Sequence, residues 1–163
     1  MSRRLFLVAL TVCLLPATAS AALPTFPDHR IVLGQSIGGV RVGMTTAQAI
    51  AKWGATDGCP ASLTDGSCEW VSPKEGFASV SLRNGIVITV GIRMSTDSKG
   101  IPIFKGPLMK LKTTKKIGMK ATIRDILKAY PKFSGTSLST SPHLTNFATS
   151  GGRVYDIFVG RQP

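Results

Sequence analysis

The clearest periodic signal in the chain is alternation of apolar and polar positions around Asn84-Gly85. Phe77, Val80 and Leu82 precede this pair, and Ile86, Ile88, Val90 and Ile92 follow it. Asn-Gly accepts the positive φ of a type I′ turn, so residues 77–94 are predicted to form a hairpin with one buried face. Glu69-Trp70-Val71 reads as a short strand before it. A second hairpin is predicted near the C-terminus, with Leu144 and Phe147 on one arm, Gly151-Gly152 at the turn, and Val154, Ile157 and Val159 on the other.

Helical periodicity replaces this alternation in two places. Thr45 and Gln48 stand at capping-box spacing, where each side chain satisfies a backbone N–H that the first helical turn leaves unpaired. Ile50 and Trp53 then share a face, and Gly54 suits a C-terminal cap. Further on, Gly118-Met119 leads into Ile123, Ile126, Leu127 and Tyr130 at i, i+3, i+4 and i+7, and Pro131 stops the pattern. The order of helix then hairpin recurs at a period of roughly 70 residues. This predicts an α+β fold of two tandem repeats, each a short helical segment followed by an antiparallel hairpin, packed as one compact unit. The boundaries fall at 22–98 and 99–163, with a Gly/Pro-punctuated connection over 99–107 and a Ser/Thr-rich approach to the last hairpin over 134–141. Residues 23–30 read as a Pro-containing tail without regular structure.

The first 21 residues follow a different logic. Arg3 and Arg4 precede an apolar stretch over 5–15, Pro16 ends it, and Ala19-Ser20-Ala21 has the small-x-small form of a cleavage site, so a secretory signal removed before Ala22 is expected. That stretch is shorter than the roughly 20 residues that span a bilayer, and no later segment approaches the length, so no transmembrane segment is expected. A lipoprotein reading through Cys13 competes, but Val12 is large for the position before a lipidated cysteine and Cys13 lies inside the apolar stretch. Loss of Cys13 leaves Cys59 and Cys68, which in an oxidising compartment are expected to pair. The alternatives are a redox pair or half of a metal site, and the spacing is the C-x-x-C of neither.

Charge narrows the partners. The chain carries a formal charge of +12, and removing Arg3 and Arg4 leaves +10. Between residues 93 and 132 there are eleven Lys or Arg against Asp97 and Asp125. Within that span Lys110, Lys112, Lys115 and Lys116 form the densest run, read either as a strand with alternating lysines or as an exposed connector. They are the candidate binding residues for an anionic envelope polymer or an acidic protein surface. Nucleic acid is not expected, because the compartment is wrong and no aromatic residues interleave with the lysines.

Catalytic signals are sparse. Gly34-Gln35-Ser36-Ile37-Gly38 matches G-x-S-x-G, which in α/β-hydrolases presents a serine on a strand-to-helix turn, and a small serine hydrolase is therefore a minor alternative. Gly39-Val40-Arg41 does not begin a helix, and a glycine-rich turn is the plainer reading. His29 and His143 are too scattered for a zinc site, and Glu69 and Glu75 are unaccompanied by any sign of a sugar-binding cleft. Trp53 and Trp70 are read as core residues. No catalytic residue, metal or cofactor is predicted.

Gly43-Met44-Thr45-x-x-Gln48, Ile50, Gly54 and the cysteine that follows resemble the helix start in modules of the beta-lactamase inhibitory protein family. The Gly-Met-Thr pattern also resembles outer-membrane assembly lipoproteins of the BamE type. The resemblance covers about residues 34–94, and in the second half it keeps Gly118-Met119 without cysteines. It implies a secreted, non-enzymatic, protein-binding module of the inhibitor or assembly type. No inhibitory residue carries over, since the hairpin here turns tightly at Asn84-Gly85 beside Arg83. The alternative function is an electrostatic binder of anionic envelope polymer; oligomeric state is left open.

Overall fold

A computed structural model describes residues 22–133, 137–140 and 143–161, so the leader read over 1–21 lies outside the described residues. In chain order the elements are β1 Arg30–Val32, β2 Ser36–Ile37, β3 Val40–Arg41, α1 Thr46–Trp53, β4 Gly66–Ser72, β5 Gly76–Arg83, β6 Ile86–Met94, a 3-10 turn Pro107–Lys110, β7 Lys112–Thr113, α2 Ile123–Ala129, β8 Ser137–Thr140, β9 His143–Ser150 and β10 Arg153–Arg161. They form a six-stranded sheet in the order β4-β5-β6-β10-β9-β8 and a four-stranded sheet in the order β3-β2-β1-β7.

This corrects the expectation of two tandem α+β repeats. The fold is mainly β, and its α-helices among the described residues are two, of eight and seven residues. Both predicted hairpins exist, but β6 and β10 pair antiparallel from Asp156 against Arg93 to Gly160 against Thr89, which zips the hairpins into one continuous sheet. The stretches read as a glycine-rich turn and a connector make the second sheet, in which β1 pairs antiparallel with β2 and parallel with β7. The Ser/Thr-rich approach contributes a further strand, β8, at the sheet edge.

The local signals explain the helices. Thr45 caps α1 with a complete capping box: Gln48 N–H donates to the Thr45 hydroxyl at 3.2 Å and Thr45 N–H to the Gln48 amide oxygen at 2.9 Å. Thr122 and Asp125 form the same device at α2, a signal the sequence reading missed because an aspartate replaces the usual Glu or Gln. Of the apolar stripe predicted for α2, Ile126 is buried, whereas Ile123 and Leu127 are each 45% exposed. A helix of under two turns seats one such row, and this one seats Ile126.

The core lies on one face of the six-stranded sheet. Cys68, Trp70, Ala78, Val80, Leu82, Val87, Val90, Ile92, Phe147, Ile157 and Val159 point into it, and α1, the small sheet and the segment around Leu108, Leu111, Ile117 and Met119 cover them. Each fully buried large aliphatic side chain stabilises the fold by roughly 1.5–3 kcal/mol relative to exposure. In β6 the strict alternation breaks. Ser81 pairs with Thr89 but Leu82 with Val87, so Ile88 is the extra residue of a bulge and Val87, not Ile86 or Ile88, turns inward. The tail is packed as well: Phe26 is buried edge-on to Trp53, which in turn meets Trp70 edge-on, with centroids 5.5 and 5.2 Å apart. Cys59 and Cys68 form the predicted disulfide, joining the loop after α1 to the core face of β4.

Candidate functional site

Because the cover lies on one side, the other face of the six-stranded sheet is left bare among the described residues. Strand register arranges its side chains in three rows. The first runs Val71, Phe77, Arg93, Asp156, Ala148; the second Glu69, Ser79, Gly91, Phe158, Asn146; the third Ser67, Ser81, Thr89, Gly160, Leu144. Small side chains, Ser79 and Gly91, stand at the centre of the middle row, and Ser67, Ser81, Thr89 and Gly160 dominate the third. At Gly91 an added Cβ would approach the Ser79 hydroxyl to 3.2 Å, so glycine there keeps the floor low beside Phe158. The result is a groove of about 230 Å³ lined by Phe77, Ser79, Thr89, Gly91, Arg93, Asp156 and Phe158.

A polar contact stands at the centre of the first row. Arg93 donates from Nε to Asp156 Oδ2 at 2.7 Å, and its terminal nitrogen lies 2.6 Å from the same oxygen. The guanidinium also sits over the Phe77 ring, 5.1 Å from its centroid. Exposure is unequal: the Arg93 side chain is 49% exposed and that of Asp156 12%. Burial raises the Asp156 carboxyl above its ordinary value, and the hydrogen bond and charge of Arg93 oppose that rise without cancelling it. Asp156 thus holds the arginine from below while leaving much of its fork open to a partner.

The four candidate lysines do not form one site. Lys110 ends the 3-10 turn, and Lys112 points outward from β7, where register sets it beside Arg30 of β1. Lys115 and Lys116 lie in the turn after β7 and line a separate cleft of about 420 Å³ with Asp125 and Lys128. There the Lys115 ammonium donates to the Ala129 carbonyl at 2.6 Å and sits 5.0 Å from the Tyr130 ring centroid, so it caps the end of α2. Asp125, fully exposed, has its carboxyl held below the usual carboxylate value by hydrogen bonds from the Thr122 backbone and hydroxyl.

A third cleft, of about 380 Å³, lies on the outer face of the small sheet and includes Arg30, Ser36, Arg41 and Lys52 in its lining. Ser36 is therefore in a two-residue strand followed by another strand, without the strand-to-helix turn that G-x-S-x-G needs in a hydrolase. Trp53 and Trp70 are core residues, as their composition predicts. Among the described residues no group of His, Cys, Asp or Glu is arranged to hold a metal, and no helix is long and apolar enough to cross a membrane.

No protein-family model matches the chain, and no curated protein matches it. Among solved structures, an extracellular protein containing an SCP domain, from Bacillus anthracis str. Ames, is similar over 74% of this chain and 44% of that one, with 12% identity and a TM-score of 0.39. The chain spans less than half the length of that protein, and a likeness at this score carries no argument about fold or function.

Proposed function

We propose that this chain is an exported, non-enzymatic protein-binding module whose bare sheet face meets an extracytoplasmic protein partner. The observation that carries the reading is the row of Phe77, Arg93, Asp156 and its neighbour Phe158 on a sheet face that no other element covers among the described residues. Aromatic and arginine side chains over a low floor have the composition of binding hot spots. Arg93 presents the open side of its fork to a carboxylate, and the net positive charge of the chain favours approach of an acidic surface. The likeness of Gly43-Met44-Thr45 to inhibitor and assembly modules supports the same class of function.

A second reading, binding of anionic envelope polymer, rests on the exposure of Lys110, Lys112 and Lys116. Salt separates the two, because binding through exposed lysines is screened and a desolvated protein interface persists. The oxidised protein is used as bait in the source's envelope and culture medium at low and high salt, beside the variants Ser79→Arg and Phe158→Ala. One protein retained at high salt, lost with Ser79→Arg and weakened about 30-fold with Phe158→Ala, is expected from a truncated hot spot worth about 2 kcal/mol. Capture that is insensitive to both variants, or confined to salt-labile polymer, overturns the sheet-face reading.

A further inference from the structure

The small sheet collects charge that is dispersed in the sequence. In β1 Ile31 points inward, so Arg30 and Val32 point outward; Val32 pairs with Ser36, and Ser36 with Arg41, which sets all four on one face. The parallel pairing of β1 with β7 adds Lys112 beside Arg30 on that face, and Lys52 at the end of α1 closes the cleft. Three exposed cations, Arg30, Arg41 and Lys52, therefore line one depression whose lining contains a single carboxylate, Asp28, and Lys112 stands beside Arg30 at its margin.

That carboxylate is turned to the backbone, accepting from Arg30 N–H at 2.9 Å. Among the described residues the one ion pair is Arg93 with Asp156, and none of Arg30, Arg41, Lys52 or Lys112 is paired with a carboxylate side chain there. The cleft itself is built. Ser36 is 6% exposed on its floor, and Pro27 packs so closely on Gly39 that an added Cβ would lie 2.6 Å from the proline ring. Two guanidinium forks and the Lys52 ammonium group on a depression of about 380 Å³, with Lys112 on the same face beside Arg30, match a compact, multiply charged oxyanion better than a long polymer, which needs an extended track.

We propose that this face, formed by Arg30, Ser36, Arg41, Lys52 and Lys112, is a binding site for a phosphate-bearing ligand of at least two negative charges. The site is independent of the bare face of the large sheet and of the partner proposed for it. Phosphate of this kind reaches an exported protein either as a soluble diphosphate or as a lipid headgroup, and the two sources are separable.

The test uses the full chain expressed for export with its disulfide formed, titrated with inorganic pyrophosphate in one arm and floated with phosphatidylcholine vesicles, with and without cardiolipin, whose headgroup carries two phosphates, in the other. Saturable pyrophosphate binding assigns a soluble ligand. Flotation that depends on cardiolipin and is reversed by pyrophosphate assigns a headgroup. In either arm Arg30→Gln/Arg41→Gln is expected to weaken binding about tenfold or more, since charge-assisted forks are lost. Lys74→Gln/Lys99→Gln removes the same charge from exposed positions outside the cleft and is expected to leave binding within about twofold. Equal losses in the two double variants, or no saturable binding in either arm, overturn the proposal. Circular dichroism of each variant shows whether the fold is kept, and Lys52→Gln serves if the arginine pair unfolds.

Discussion

Trp53→Phe is the substitution that probes most directly how the two sheets are joined. The Trp53 indole N–H donates to the Gly38 carbonyl at 2.9 Å, tying α1 to the turn between β2 and β3 inside the core. Phenylalanine removes the donor and strands a buried carbonyl, a loss of roughly 1–3 kcal/mol. It also removes about two methylene equivalents of buried ring, about 1.5 kcal/mol more. The expected total is about 3 kcal/mol, a large share of a net stability of roughly 5–15 kcal/mol, and a fall in Tm of about 10 °C. Trp70→Phe deletes the same atoms, but its acceptor is the carbonyl of exposed Gly54, at 3.0 Å, which water can satisfy instead. Its cost should be lower by the orphaned-carbonyl contribution, about 1 kcal/mol or more. Urea denaturation followed by circular dichroism measures both, and the tryptophan left in each variant reports by fluorescence. If Trp53→Phe costs under about 1 kcal/mol, or no more than Trp70→Phe, the Gly38 bond is not what couples the sheets.

Two further outcomes follow from the same packing. Burial raises the Asp156 carboxyl above its unfolded value, so the native state holds the proton more tightly and this group's contribution to stability falls as pH rises from the unfolded value through the raised one. Urea titrations between pH 3.5 and 7 should show Asp156→Asn gaining stability relative to the parent as pH increases, and a constant or declining difference would contradict that sign. Opening the disulfide, whose cysteines are separated by 9 positions, should cost on the order of 2–3 kcal/mol. Cys59→Ala/Cys68→Ala measured against the oxidised parent checks it, and the parent with dithiothreitol should fall to the same level.

Local chemistry was readable in the sequence, and long-range pairing was not. The α1 capping box, both hairpin turns and the Cys59–Cys68 bond each depend on residues close together in the chain, and each is found where its residues predicted it. The fold class was misread because pairing of β6 with β10 depends on side chains far apart in sequence, and alternation says which face a residue takes but not which strand lies beside it. Strands of two or three residues, such as β1 to β3 and β7, are too short for any period to register. Ile88 failed for a related reason: a bulge shifts the parity of every residue beyond it, and nothing in the local pattern announces one.

The same distinction bears on the two surfaces argued to bind. Arg93 and Asp156 are 63 positions apart, and their contact exists because β6 and β10 are neighbours in that register. Arg30, Arg41 and Lys112 look unrelated along the chain and become one cationic face through the pairings of the small sheet. The dense lysine run shows the converse. Lys112 and Lys115 are three positions apart, yet one faces outward beside Arg30 and the other folds back onto the Ala129 carbonyl. Charge density along a chain therefore predicts a charged patch only where the backbone keeps its direction, and here the turn over 113–117 reverses it between them. A one-residue slip of β10 against β6 would turn Asp156 into the core and Ile157 out, costing both the buried apolar contact and the seat of Arg93. The core sequence that fixes the register is thus also what assembles the groove, so substitutions at Ile92 or Ile157 should disturb the exposed row without touching any residue in it.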